Sequence, residues 1–568
     1  METNRLITIP YALEKCNDSG RIGNFEVAGG LKQGGFAGLF YDDSDVFKIV
    51  EGASYSLVLR PDPELEAALE GLIEIIAAAQ EKDGYLYTAR TINDPAHDYP
   101  GKAERWSDIK DGHELYNVGH LYEAAVAHYR ATGRRILLDV AIRNADLVCS
   151  VFGEEAGQRK DAPGHEEIEI GLVKLYQATG DEKYLRQAGF FIDMRGRSDR
   201  RGIFGSHYQD HKPVAEQEQA VGHAVRAVYL YAGVADVAAL AENRELLHAI
   251  DRIWDDIVST KMYLTGGIGS RHAGEAFGES YELPNKTAYC ETCAAIAHAM
   301  FNHRMFLLHG DSRYIDVLER IIYNGFLSGV SLSGDRFFYP NPLESDGAYP
   351  FNKGESERKP WFETSCCPVN TTRFIPSIPG YVYAVRDRSL YVNLFVGGTA
   401  RIALPDDGEV VIRQTTRYPW EGHVRLAVTP SVAERFALHI RIPGWALGCP
   451  VPGNLYRYEP GHEAGYQITV NGEPVCPPIE KGYAVIDRFW EEGDIIEVEL
   501  PMPVNRVHCH SKVVGNRGRV AIERGPLVYC AEGADHGGKA LNLALPEDAV
   551  LAPRHESSRL GGITVLKG

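Results

Sequence analysis

The chain has 568 residues, 44% of them hydrophobic and 24% charged, with 78 acidic against 59 basic side chains and a formal charge of −19. That length exceeds one compact core and predicts two or three domains. So acidic a surface excludes nucleic acid and anionic membranes as favoured partners and leaves small neutral or locally steered molecules.

The opening Met1-Glu2-Thr3-Asn4-Arg5 lacks a basic segment followed by an apolar run. No secretory signal is expected, and a cytoplasmic location follows as the expectation. No stretch approaches the ~20 apolar residues of a membrane span. Ten cysteines without an export signal do not read as a disulfide framework. Cys16, Cys149, Cys449, Cys476, Cys509 and Cys530 are scattered and read as reduced thiols.

From about residue 60 to 330 the sequence reads as helical hairpins. Residues 64–80 place Leu65, Leu69, Leu72, Ile75, Ile76 and Ala79 near helical spacing. Residues 120–132 predict a helix closed by Gly133, with a second helix over 136–148. The same Ala-Thr-Gly stop recurs at Ala178-Thr179-Gly180, after a helix from Ile170, and another helix follows from Lys183. A looser copy covers 223–231 and 245–258. A fourth covers 292–309 and 314–327, with Gly310-Asp311 between its helices. A helix-pair repeat of roughly 50 residues indicates a solenoid or a closed toroid. An open solenoid needs polar capping repeats. None is evident, so a closed α/α toroid of about six hairpins, (α/α)6, is expected.

From about Leu390 the period changes to two. Residues 390–396, 424–428, 436–442, 466–472 and 495–500 alternate between Gly, Pro and Asp turns, which predicts a β-sandwich. Residues 520–529 and 563–568 read as strands of a further, small or incomplete β module. The expected domains are 1–385 (toroid), 386–500 (sandwich) and 501–568 (further β module).

Two short clusters carry metal-binding side chains: Cys290-Glu291-Thr292-Cys293 and Cys366-Cys367-Pro368-Val369-Asn370. Zn²⁺ takes thiolate, imidazole and carboxylate ligands in tetrahedral sets of four. Adjacent cysteines such as Cys366 and Cys367 do not readily bridge each other, yet both can reach one metal. Such a zinc either staples two segments or holds a reactive sulfur. Spacing alone favours the staple. The neighbouring histidines and carboxylates favour the reactive site.

His113, His165 and His223 each follow a glycine at matching phases of the repeat, where a toroid would gather them at one mouth. A histidine at a helix start is as often plainly structural, but the matched phase argues for a shared role. The loop from Gly274 to Asn285 adds Glu275, Glu279 and Glu282. One of these could be a general acid/base if burial raised its pKa, and at least one is expected to be simply solvated. Gly266-Gly267-Ile268-Gly269 lacks a βαβ context, and neither a Gly-x-Ser-x-Gly elbow nor a phosphate-binding loop is present. Two rival classes stay open. A sugar epimerase on a helical toroid would be indifferent to loss of Cys366. A non-catalytic sugar-binding protein with structural zinc would bind without turnover.

These segments, with Tyr41-Asp42-Asp43-Ser44-Asp45 and Tyr339-Pro340-Asn341-Pro342-Leu343-Glu344, make the chain resemble glycoside hydrolase family 127, the β-L-arabinofuranosidase family, over most of residues 20–375. The resemblance implies an (α/α)6 barrel with β-sandwich domains. It implies Zn²⁺ held by Glu291, Cys293, Cys366 and Cys367, with Cys290 outside the set. Cys366 would be the nucleophile and Glu275 the acid/base. His113, His165, His223 and Tyr339 would contact the sugar. The implied activity is retaining release of terminal β-L-arabinofuranose, or the same chemistry on another cell-wall sugar, such as a branched acidic one. Sandwiches of this kind also support homodimers.

Overall fold

The computed structural model describes residues 1–405, 408–460 and 465–568. Twelve helices among them build the first 380 residues: α1 (Ile9–Asp18), α2 (Asp43–Leu59), α3 (Pro63–Ala79), α4 (Glu114–Thr132), α5 (Ile136–Val151), α6 (Ile168–Thr179), α7 (Glu182–Met194), α8 (Ala224–Leu240), α9 (Arg244–Asp256), α10 (Thr292–His309), α11 (Ser312–Arg320) and α12 (Cys366–Ser377). The even-numbered helices form an inner ring in chain order, and α12 packs back on α2 to close it. The odd-numbered helices form the outer layer.

Composition decides which layer a helix joins. α4 is buried without a break from Glu114 to His128, and α8 from Ala224 to Ala235. A helix buried around its whole circumference sits inside other helices. α9 instead buries a stripe, Leu246, Ala249, Ile250, Ile253 and Trp254, and leaves its other face in water. Glycines in the left-handed region end three inner helices, at Gly133 (φ 74°), Gly180 (φ 74°) and Gly310 (φ 61°). Asp62, Asp181, Asn243 and Asp311 cap outer helices by accepting backbone N–H bonds. Ring closure depends on Gly52 of α2. A Cβ there would stand 2.4 Å from the Thr372 carbonyl of α12.

The hairpins expected over 60–330 are present, with shifted ends. α8 runs nine residues beyond the expected 231, to Leu240, and α11 continues as a π-helix from Ile321 to Phe326. Helices α1, α2 and α12 lie outside the expected range and complete the ring. Among the described residues no helix is long and apolar enough to cross a membrane.

Two antiparallel-rich sheets follow. One orders Tyr383–Arg386, Ser389–Val392, Glu434–Arg441, Tyr483–Trp490 and Ile479–Glu480. The other orders Gly398–Ala403, Glu409–Thr416, His423–Pro430, Asp494–Glu499, Gln467–Val470 and Glu473–Val475. Alternate residues (Phe436, Leu438 and Ile440; Val424, Leu426 and Val428) are buried and share one core. A four-stranded sheet joins Val504–Cys509, Ala521–Arg524 and Leu527–Tyr529 to Tyr456–Tyr458, so the stretch after residue 501 pairs with a strand from before residue 500.

α11 locks the helical and β parts together. Arg441 is fully buried and donates to Asp316 Oδ1 at 2.6 Å, to Glu319 and to the Asn393 carbonyl. Tyr418 donates to Glu319 at 2.8 Å, and Arg320 donates to Glu523 Oε1 at 2.9 Å.

Candidate active site

The N-terminal ends of the inner helices gather at one mouth of the toroid. His113 caps α4 in a left-handed conformation (φ 58°), His223 caps α8, Glu291 caps α10, and Cys366 is the first residue of α12. His165 stands three residues before α6 rather than at its start. It reaches the same place because Gly164 lies flat against the segment before His113. Gly164 N–H donates to Ile109 O at 2.9 Å, and a Cβ would sit 1.7 Å from Lys110 O. The imidazoles form a chain, His113 to His165 at 5.6 Å and His165 to His223 at 6.0 Å between centroids, with Tyr116 at 4.2 Å from His165. Burial pulls all three below the ordinary histidine range, His113 to about 3. Neutral rings result at His113 and His165, suited to hydrogen bonds with hydroxyl groups.

Beside them, Glu291, Cys293, Cys366 and Cys367 bring one ligand atom each within 4.8 Å of one another. Cys293 Sγ to Cys367 Sγ is 3.3 Å, Cys366 Sγ to Glu291 Oε1 is 3.4 Å, Cys367 Sγ to Glu291 Oε1 is 3.6 Å and Cys366 Sγ to Cys367 Sγ is 4.0 Å. Tetrahedral ligands at about 2.0–2.3 Å from a metal stand roughly 3.3–3.8 Å apart, so the spacing fits a shared cation. The charge pattern also fits. Hydrogen bonding from Cys293 and Cys367 holds Cys366 well below the usual thiol range, while burial pushes Cys293, Cys367 and Glu291 upward. A divalent ion would favour ionisation of the whole set. Buried Glu291 Oε2 has no hydrogen-bond partner. These residues could hold a metal ion. Cys290 lies outside the group, with its Sγ against the Gly267 backbone. Cys366 is the one residue of the four that is not fully buried.

Of the three loop carboxylates, only Glu275 enters this mouth. Glu282 is tied to Arg271 at 2.7 Å, and Glu279 is 84% exposed. Glu275 Oε2 lies 3.1 Å from His223 Nε2, and its Oε1 accepts from Tyr289 OH at 2.6 Å and Lys353 Nζ at 3.3 Å. Glu275, His223 and Glu291 also lie within 4.8 Å of one another. The expected raised pKa is absent. Burial does push the carboxyl up, but His223, Tyr289 and Lys353 outweigh it and bring it down to about 2. His223 must be protonated to act in this way, and burial resists that. The two groups therefore share one proton. Tyr289 and Lys353 favour its lying on the imidazole side. Tyr339 OH stands 3.2 Å from Cys366 Sγ.

Tyr289, Lys353 and Asn370 were not singled out from sequence. Tyr289 directly precedes the first metal cluster, and Asn370 ends the second, so proximity was a usable signal for both. Lys353 is a lone loop lysine with no such signal. Asn352, whose buried side chain accepts from Tyr339 N–H at 2.8 Å, fixes its place.

Comparison with known proteins agrees with this geometry. Residues 1–380 match the model of the β-L-arabinofuranosidase GH127 catalytic domain, 389–502 the GH127 middle domain and 504–560 the glycoside hydrolase family 127 C-terminal domain. A curated non-reducing end β-L-arabinofuranosidase of Bifidobacterium longum subsp. longum is 38% identical, over 95% of this chain and 83% of its own. A solved GH127 β-arabinofuranosidase superposes with a TM-score of 0.93 at 49% identity, covering 99% of this chain and 87% of that one. A solved GH127 β-L-arabinofuranosidase from Geobacillus stearothermophilus T6 gives 0.92 at 41% identity, covering 100% and 90%.

Proposed function

Because the chain belongs to glycoside hydrolase family 127 and is a glycoside hydrolase, we propose that it is a retaining exo-glycosidase releasing terminal β-L-arabinofuranose from plant-derived glycans or glycopeptides. The observation that carries this reading is the meeting of the partly buried Cys366 sulfur with the Glu275–His223 pair around Glu291. Supporting it, the similar proteins described above carry that specificity in their names.

In the proposed reaction the Cys366 sulfur attacks the anomeric carbon as the glycosidic C–O bond breaks. The proton shared by Glu275 and His223 passes through Glu275 to the leaving oxygen. A thioglycosyl bond to Cys366 results. Glu275, now without that proton, takes one from a water whose oxygen attacks the same carbon from the face the leaving group vacated. The C–S bond breaks and the sulfur returns as thiolate. Two inversions give net retention. One thiolate thus replaces the second carboxylate of the usual pair. His113, His165, His223 and Tyr339 would bind sugar hydroxyls. Glu291, Cys293, Cys366 and Cys367 would hold Zn²⁺, the ion that thiolate-rich tetrahedral sets favour. When bound it would keep the Cys366 sulfur ionised near neutral pH. The N-terminal end of α12 favours the same charge.

The test is hydrolysis of p-nitrophenyl β-L-arabinofuranoside under reducing conditions, with metal analysis. Turnover at about one zinc per chain, lost in Cys366→Ser without loss of helicity, is expected. Near-normal turnover in that variant would remove Cys366 from the nucleophile role. Metal without turnover would move the substrate to another cell-wall sugar or favour a sugar-binding protein.

A further inference from the structure

Behind the cysteine cluster, on the side away from the histidines, lies a buried chain of hydrogen bonds that the proposed chemistry does not use. Asn370 sits one turn into α12, below Cys366 and Cys367. Its Nδ2 donates to Cys293 Sγ at 3.1 Å. Its Oδ1 accepts from Arg373 Nε at 2.7 Å and from Tyr229 OH at 3.3 Å. Arg373 donates Nη2 to that same Tyr229 hydroxyl at 2.8 Å, and Nη1 to Glu51 Oε2 at 2.8 Å and Glu123 Oε1 at 2.7 Å. Lys174 pairs with both carboxylates from the opposite side. Asn370 and Arg373 are almost entirely buried.

The direction of this chain is fixed by the donor inventory. A guanidinium has five N–H groups and no acceptor. It can face only the oxygen of the Asn370 amide, so the amide nitrogen must turn to the other side, where Cys293 stands. Glu51 and Glu123 both accept from Nη1 and hold the far end of the guanidinium, while Tyr229 takes Nη2. The amide therefore cannot flip without placing N–H against N–H. A buried donor aimed at a sulfur requires that sulfur to accept. Ligand-orienting partners of this kind act on metal affinity as strongly as many ligands do.

We infer that Arg373 is a positioning residue for the metal centre, acting through Asn370, whose amide N–H fixes the Cys293 sulfur as an accepting ligand. This rests on the reading of Glu291, Cys293, Cys366 and Cys367 as metal ligands. The two carboxylates, the guanidinium and Lys174 form the rigid base from which the amide is aimed. Neither Asn370 nor Arg373 touches the histidine-lined mouth, so sugar binding does not depend on them directly.

The experiment uses the full-length protein and its Asn370→Ala and Arg373→Lys variants. Asn370→Ala deletes the donor and leaves the ion pairs. Arg373→Lys keeps the charge and removes the planar Nε that orients the amide. Zn²⁺ dissociation constants are read by competition with a chromophoric chelator, and the Co²⁺-loaded forms give the sulfur-to-cobalt charge-transfer band. A loss of roughly 10–100-fold in Zn²⁺ affinity is expected in both variants. The cobalt band should move to longer wavelength, because a sulfur without its hydrogen bond gives up an electron more easily. Circular dichroism reports the fold, and a variant that fails to fold leaves the other to decide. Unchanged affinity and an unchanged band in a folded variant would overturn the inference while leaving the metal site intact. A wild-type protein that binds neither ion would overturn the metal reading and this inference with it.

Discussion

Lys353 offers the sharpest test of the Glu275–His223 pair, because it touches the carboxylate without entering the cysteine cluster. Its ammonium stands 3.3 Å from Glu275 Oε1, 3.0 Å from Tyr289 OH and 4.2 Å from the Tyr339 ring centre. Replacement by Met keeps the length of the side chain and removes the charge. A pair at this distance in water is worth about 1.3 kcal/mol. The lysine is 41% exposed, so the measured range for exposed pairs, about 0.2–1 kcal/mol, is the better guide. At 1.36 kcal/mol per pH unit that is roughly 0.1–0.7 unit. The sign follows from the charge. Lys353 favours the carboxylate over the carboxylic acid, so its removal makes the Glu275–His223 pair hold its proton more tightly. The alkaline limb of kcat/KM, which records loss of that proton in the free enzyme, moves to higher pH. Hydrolysis of p-nitrophenyl β-L-arabinofuranoside across the pH range measures it. A limb that stays in place, or moves to lower pH, would refute Lys353 as an electrostatic partner of Glu275.

Three further outcomes are expected. Gly164→Ala drives a Cβ into the Lys110 carbonyl, so it should lower stability by about 1–3 kcal/mol and raise KM by displacing His165; an unchanged Tm would contradict it. Arg441→Met strands Asp316 and Glu319 under the β-sandwich, at a cost of about 3–5 kcal/mol in denaturant unfolding; a loss below about 1 kcal/mol would show that α11 is held by packing alone. Dialysis against a strong chelator should abolish turnover, and added Zn²⁺ should restore it, with far-UV circular dichroism unchanged; full activity in the metal-free protein would exclude a metal-held nucleophile.

The fold was legible wherever local periodicity carried it. The Ala-Thr-Gly stops at Gly133 and Gly180 mark two hairpins because glycine alone enters the left-handed region freely, and both stand there with φ 74°. The two helices that meet to close the ring were not legible, for a physical reason. α2 has an apolar stripe, Val46, Ile49, Val50, Ala53 and Leu57, but it also buries Asp43, Asp45, Lys48 and Glu51, so charged side chains break the polar-out half of the pattern. α12 opens with Cys-Cys-Pro and carries Pro376, which reads as a loop. Both helices line the axis, where polar side chains satisfy one another across the ring: Arg373 of α12 with Glu51 of α2, and Lys48 with Tyr116 of α4 at 2.8 Å. Periodicity is a test of burial against apolar neighbours, and it fails where burial is against charge.

The site divides along the same line. His113 and His223 were legible because each stands at the start of an inner helix, a position that repeats along the chain, and Glu291 and Cys366 because each lies in a short cluster of metal-binding side chains. What those residues do depends on partners that do not repeat. Glu275 draws Tyr289 from 14 residues away and Lys353 from 78, and with His223, the largest of the opposing influences, they reverse the upward push that burial gives its carboxyl. A raised pKa follows from burial alone, and it fails because His223, Tyr289 and Lys353 all stand against the carboxyl. The repeat builds the mouth; the residues that tune it come from connections of unequal length between repeats. The sugar specificity of this chain should accordingly lie in those connections, and exchanging residues 343–360 for those of a relative with another substrate should shift the preference among sugars without changing metal content.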